Sequence, residues 1–225
     1  MKNKHRIYKD KVTVINNLFT KRKLQMIIIG ITGSIGTGKT TVSKMLKILK
    51  IPIFDSDKKV REILDENQIV IEKILQIWPD TVSSNLIQKK IDKVVLSNKI
   101  FNNKKERKKL EDIIHPLIEK ERKTFLQNFE NFNIVGLDVP LLYETGKDKE
   151  CDYVFLMNTS KKIQKERVLK RPNMTEKKFE LINNAQWSFE RKNKEKPFII
   201  NTSFGKIITF FLVLFYLLKI KFSFK

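Results

Sequence analysis

The stretch GITGSIGTGKTT, from Gly30 to Thr41, constrains the fold most, because it gathers four of the seven glycines of a 225-residue chain in one place. The run before it, MIIIGIT, is β-branched and lacks polar alternation, as expected of a strand covered on both faces. Behind it, TTVSKMLKILK carries Val42, Met45, Leu46 and Leu49 at the i, i+3, i+4, i+7 spacing of an amphipathic helix. Gly33 to Thr40 spells GSIGTGKT, so the order strand, glycine-rich turn, helix satisfies the GxxxxGK(S/T) pattern of a phosphate cradle. Gly33, Gly36 and Gly38 let backbone N–H groups converge on an anion, and the helix N-terminus adds partial positive charge. Lys39 is expected to reach the β- and γ-phosphates, Thr40 to ligate Mg²⁺, and Thr37 and Thr41 to complete the nucleotide contacts.

The rest of the chain keeps the same alternation. IPIFD, NIVGLDVP, DYVFLMN and PFIIN read as strands, and residues 58–78, 87–129, 160–171 and 175–192 read as helical. Strands separated by helices predict an α/β fold with a parallel sheet. A composition of 41% hydrophobic and 32% charged residues fits a globular chain and not a membrane bundle. Cys151 is the only cysteine, which excludes an internal disulfide and fits a reducing, cytoplasmic setting.

The net charge of +21 invites a nucleic-acid or lipid partner, but +7 of it lies in residues 1–25 and +4 in residues 201–225. The remaining lysines are dispersed among Asn and Ile without interleaved aromatics, so no nucleic-acid partner is expected. Residues 1–25 read as a disordered extension and 206–225 as an atypical apolar tail. Within that tail only Thr209 interrupts the apolar run Ile207 to Leu218, which is shorter than the ~20 residues that span a bilayer. A buried terminal helix is expected there, or an altered chain end, and no membrane partner.

A phosphate cradle does not reveal what receives the phosphate. The guanine-reading pattern NKxD is missing, since the NK pairs at Asn98 and Asn193 have no Asp behind them, and the chain is short for a helicase or transporter ATPase. A small kinase remains, and it requires an acceptor site and a basic closing segment. FDSDKKVR follows the second strand, at the sheet edge where open α/β sheets bind ligands. On an extended chain Asp55 and Asp57 face the same way; one can take the acceptor's proton, or either can cap a helix. Arg167 and Arg171 at i and i+4 share a helical face, either closing over a phosphoryl group or simply solvated.

Several segments, taken in order, resemble dephospho-coenzyme A kinases: GITGSIGTGKTTV, IFDSDKKVR, IIHPLI, VPLLYETG, RVLKR, the pair Ala185–Gln186, and FIINTSFG. The resemblance covers roughly residues 26–205. It implies a P-loop kinase of three layers, with a parallel sheet, a helical substrate region near 60–130 and a mobile lid near 160–195. It also implies ATP and Mg²⁺ as cofactors and dephospho-coenzyme A as the small-molecule substrate, phosphorylated on its ribose 3′-hydroxyl. By that resemblance Asp57 is the base, Lys39, Arg167 and Arg171 stabilise the phosphoryl group, and Asp55, Asp57, Arg61 and His115 contact substrate. His115 precedes Pro116, so it can equally mark a helix break. Asp138, at the end of NIVGL, resembles a metal-facing acid. Two segments depart from the family pattern: Lys196 and Pro197 replace an Ala-Asp pair, and the tail after Gly205 is apolar instead of amphipathic. The alternatives are a nucleoside or nucleotide kinase, or a nucleotide-binding protein without turnover.

Overall fold

The computed structural model describes residues 26–83, 90–101 and 103–223; the expected extension 1–25 and part of the 87–129 region lie outside these residues. Strands β1 (Ile27–Thr32), β2 (Ile53–Asp55), β3 (Ile134–Asp138), β4 (Tyr153–Asn158) and β5 (Phe198–Asn201) form one sheet ordered β2-β3-β1-β4-β5. Every pairing is parallel. The helices are α1 (Lys39–Ile48), α2 (Ser56–Glu66), α3 (Gln68–Ile77), α4 (Lys93–Phe101), α5 (Lys104–Asn128), α6 (Lys161–Leu169), α7 (Glu176–Asn184), α8 (Phe189–Asn193) and α9 (Gly205–Ser223). β1 is central, with β3 on one side and β4 on the other, so its exit lies where the chain order reverses and open sheets bind ligands.

Side-chain alternation along β1 explains the layers. Ile27, Ile29 and Ile31 enter one cluster with Val42 and Leu46 of α1 and Val213 and Ile220 of α9. Gly30 faces the opposite way, toward Leu142 and Cys151. Phe54 of β2 meets Phe125 near the end of α5, with ring centroids 5.6 Å apart. Helices α2 to α5 carry a second apolar cluster of their own, which includes Ile63, Ile71, Ile74, Trp78, Leu96 and Ile114.

Four expectations change. The helical stretch 58–78 is two helices, because the Asn67 side chain accepts the Val70 N–H and restarts the chain as α3. The stretch 175–192 also divides, with Ser188 capping α8 through the Arg191 N–H. Pro116 lies inside α5 without ending it, so the helix-break reading of His115–Pro116 fails. The terminal helix forms, but only one side is covered. Thr209, Val213 and Ile220 are buried, whereas Ile207, Phe211, Phe215 and Phe222 are each more than half exposed, Ile207 at 74%. No described helix is long and apolar enough to cross a membrane.

Candidate active site

Leaving β1, the backbone takes left-handed conformations at Gly36 (φ 80°) and Gly38 (φ 97°). Space requires glycine there too: a Cβ on Gly36 would stand 2.6 Å from Val168 Cγ2, and one on Gly38 3.0 Å from Thr202. A cavity of about 520 Å³ opens over this turn, walled by Gly33, Gly36, Gly38, Lys39, Thr40 and Thr41 below and by Arg167 and Arg171 above. Lys39 is held by Asp138, whose other carboxylate oxygen accepts the Ser43 hydroxyl at 2.6 Å. Asp138 stands opposite Ile31 in the β1–β3 register, so the lysine is tethered at the edge of the sheet.

Thr37 takes a different place from Thr40 and Thr41. Its hydroxyl donates to the Ser34 carbonyl at 2.8 Å, its N–H donates to the same oxygen, and its carbonyl accepts from the Thr202 hydroxyl. The buried Thr37 side chain thus braces the loop and does not line the cavity above it.

Asp55 and Asp57 do not share an extended segment, as their spacing suggested. The chain turns helical at Ser56, and Asp55 spends a carboxylate oxygen capping α2 through the Lys58 N–H at 2.9 Å. Asp57 reaches the site from the first turn of α2. It lines the cavity over the loop and also a second one, of about 730 Å³, walled by Val60, His115, Pro116, Pro140 and Leu141. Among the described residues Asp57 is the only charged one lining both; Pro140 is the other residue they share. Burial raises its pKa above the ordinary aspartate value; Lys39 and Arg61 oppose the shift, while the charges of Asp55 and Asp138 add to it. Arg61, one turn further along α2, is exposed and lines neither cavity.

The far wall of the second cavity is ionic. Buried Arg122 pairs with Glu119 and Glu150, and Lys147 donates to the same two carboxylates at 2.9 and 3.0 Å. The hydrogen bond from Lys147, assisted by Arg122, holds Glu119 down at about 2. His115 and Pro116 line this cavity from α5, and a proline there returns no N–H to the carbonyl one turn before it.

Arg167 and Arg171 share the first cavity but not a helical face, because α6 ends at Leu169 and Arg171 lies in the following turn. The Arg167 guanidinium donates to the Thr202 hydroxyl at 2.8 Å and to its carbonyl at 2.9 Å. Sequence reasoning missed Thr202 and the two glutamines, Gln164 and Gln186, that bond the loop at Ile35. The traces of them were the Ala185–Gln186 pair and Thr202 within FIINTSFG, to neither of which the sequence assigns a role. Burial pushes the Cys151 thiol up to about 12, which disfavours its thiolate form.

The family model for dephospho-CoA kinase matches residues 27–206, from β1 to the second residue of α9. The chain belongs to the dephospho-CoA kinase family. A dephospho-CoA kinase of Rhodopseudomonas palustris (strain HaA2) is 34% identical over 182 residues, covering 80% of this chain and 88% of that one. The dephospho-CoA kinase of Bartonella quintana (strain Toulouse) is 36% identical over 179 residues, covering 79% and 89%. Among solved structures, TT1252 from Thermus thermophilus superposes with a TM-score of 0.77 at 26% identity, over 87% of this chain and 97% of that one. Dephospho-CoA kinase from Campylobacter jejuni gives 0.63 at 27% identity, over 86% and 96%. The dephospho-CoA kinase match thus takes in Asp57, the whole lining of the second cavity and that of the first except Thr209, and stops where the apolar run of α9 begins.

Proposed function

We propose that this chain transfers the γ-phosphoryl group of ATP to the ribose 3′-hydroxyl of dephospho-coenzyme A, the last step of coenzyme A synthesis. The observation that carries the reading is the position of Asp57, among the described residues the only charged side chain common to a phosphate-loop cavity and a second, partly apolar cavity. ATP occupies the first, with its phosphates over Gly33 to Thr41, and the acceptor occupies the second. The acceptor's adenosine and pantetheine portions suit a cavity with both apolar and ionic walls.

In the reaction, Asp57 carboxylate accepts the proton of the acceptor hydroxyl as that oxygen bonds to the γ-phosphorus. The bond from phosphorus to the β–γ bridging oxygen breaks, and ADP departs with that electron pair. Lys39, Arg167 and Arg171 meet the charge that develops on the phosphoryl oxygens. A Mg²⁺ bound with ATP takes few protein ligands and most of its coordination from phosphate and water. The Thr40 hydroxyl, lining the cavity beside Asp57, would hold it, and the ion would neutralise phosphate charge. Asp55 supports this site through the α2 cap and its field on Asp57, Arg61 through its charge, and His115 by walling the acceptor cavity. Residues 60–130 form the substrate region and 160–195 the lid, and the single, half-buried thiol accords with the cytoplasm.

A coupled ADP-release assay tests the reaction with dephospho-coenzyme A, nucleosides and nucleoside monophosphates. Turnover of dephospho-coenzyme A is expected; turnover confined to another acceptor sinks the assignment. Asp57→Asn should lower kcat by roughly 10²- to 10⁴-fold with little change in ATP affinity. Because its pKa is raised, the acid limb of the wild-type rate profile should lie above 3.8. An unchanged rate in the variant removes Asp57 from the proton transfer.

A further inference from the structure

The phosphate loop is gripped at a single residue by two side chains from the arm α6–α8. The Ile35 N–H donates to Gln186 Oε1 at 2.9 Å, and the Ile35 carbonyl accepts from Gln164 Nε2 at 2.7 Å. The same Gln164 nitrogen reaches Asn183 Oδ1 on α7 at 3.2 Å. Backbone chemistry fixes both amide orientations, since an N–H can face only the oxygen of an amide and a carbonyl only its NH₂ group. Gln164 lies on α6 and Gln186 in the turn before α8, so two parts of the arm converge on the loop. Gly36, the next residue, has no slack: a Cβ there would meet Val168 Cγ2 at 2.6 Å and the Gln164 carbonyl at 3.0 Å.

We infer that Gln164 and Gln186 are positioning residues that fix the phosphate loop through Ile35, so that donor affinity depends on where the arm stands. Neither need touch the reacting atoms. A cradle of backbone N–H groups binds phosphate only while those groups converge, and residue 35 lies between the Gly33 and Gly36 corners. Displacing the arm withdraws both bonds together and frees the loop to open. The inference rests on the donor site described above and concerns ATP binding alone.

The two bonds have opposite polarity, and this supplies the test. Gln186 accepts, and a glutamate there still accepts. Gln164 donates, and a glutamate there cannot, and it faces two oxygens instead. Both substitutions add the same charge beside the same residue, but Gln186 lines the donor cavity and Gln164 does not, so direct repulsion of phosphate falls on Gln186→Glu and works against the expected order, which the lost donor and its oxygen–oxygen contacts must outweigh. ATP dissociation constants are measured by calorimetry on the full chain without acceptor, with thermal melts as a check of folding. Gln164→Glu should weaken ATP binding at least about 10-fold more than Gln186→Glu. The neutral Gln164→Met and Gln186→Met, which remove each bond without adding charge, should each raise the ATP constant and the KM for ATP. The KM for the acceptor should stay unchanged. Equal effects of the two glutamate variants, or ATP constants unmoved in both methionine variants, would overturn the inference. If the parent binds ATP and the variants behave as expected while dephospho-coenzyme A is not turned over, the kinase assignment fails and the clamp stands.

Discussion

The phosphate loop and helix α9 meet at one cavity, since Gly205, Lys206 and Thr209 from the start of α9 share its wall with the loop. They are held in opposite ways. The loop is bonded from two sides, by Thr202 from the end of β5 and by Gln164 and Gln186 from the arm. Helix α9 is held from one side, by sheet contacts such as the stacking of Tyr216 on Phe198 at 4.7 Å. Its outer positions Phe211, Phe215 and Phe222 are 64%, 59% and 65% exposed. The contrast shows that ordering a backbone for chemistry takes polar partners from several elements, whereas anchoring a helix takes only one apolar stripe.

The largest expected difference between the two regions is in activity. Lys39→Ala should cost roughly 10²- to 10³-fold in kcat and, because it leaves the buried Asp138 carboxylate without its cation, should also lower the melting temperature. A variant that keeps the wild-type melting temperature would mean the Lys39–Asp138 pair serves the phosphate site alone, and the contrast would sharpen. On the helix side, Ile220→Ala removes a fully buried side chain and should cost about 2–5 kcal/mol in denaturant titrations, with turnover at low temperature preserved.

The wall of the acceptor cavity lies between these extremes. Glu119 has a folded-state pKa of about 2 against an ordinary value of 4.5, so the stability it contributes is present above 4.5 and is lost as pH falls toward 2. Glu119→Gln should flatten that part of the pH–stability curve, by a modest amount because the side chain is one-third exposed. The smallest effect belongs to the outer face of α9. Phe211→Ser and Phe215→Ser should each stay within about 0.5 kcal/mol and leave kcat unchanged. They should also reduce adsorption and self-association in light scattering, since contiguous exposed apolar surface is adhesive. A large loss of stability would mean that this face is covered in solution.

Much of the donor half was legible because its signals are local. A β-branched run, a glycine turn and an amphipathic stripe act over a few residues each, and the structure returns them as β1, the loop and α1. The α/β class and the parallel order followed from the alternation of such runs. Helix breaks at Asn67 and Ser188 were less legible, since a polar residue inside a charged helix becomes a cap only when the chain beyond it changes direction. The spacing of Asp55 and Asp57 misled for a related reason. An extended reading ignored the cap that Asp55 itself supplies, which starts α2 and carries Asp57 into the site from a helix.

What the sequence alone determined was the phosphate cradle with its lysine and threonines, the sheet that presents it, and the family whose motifs recur in order. Only the tertiary structure decided that Thr37 braces the loop, that Arg167 rests on Thr202, and that Asp57 joins two cavities. It alone brought Gln186 to Ile35 across 151 residues of chain and Ser43 to Asp138 across 95. Local pattern records which conformation a segment prefers, because the sterics and hydrogen bonds involved lie within a turn or two. A polar side chain has no preference of that kind for a partner, so its role is set by whichever orphan N–H or C=O the folded chain places within 3 Å of it.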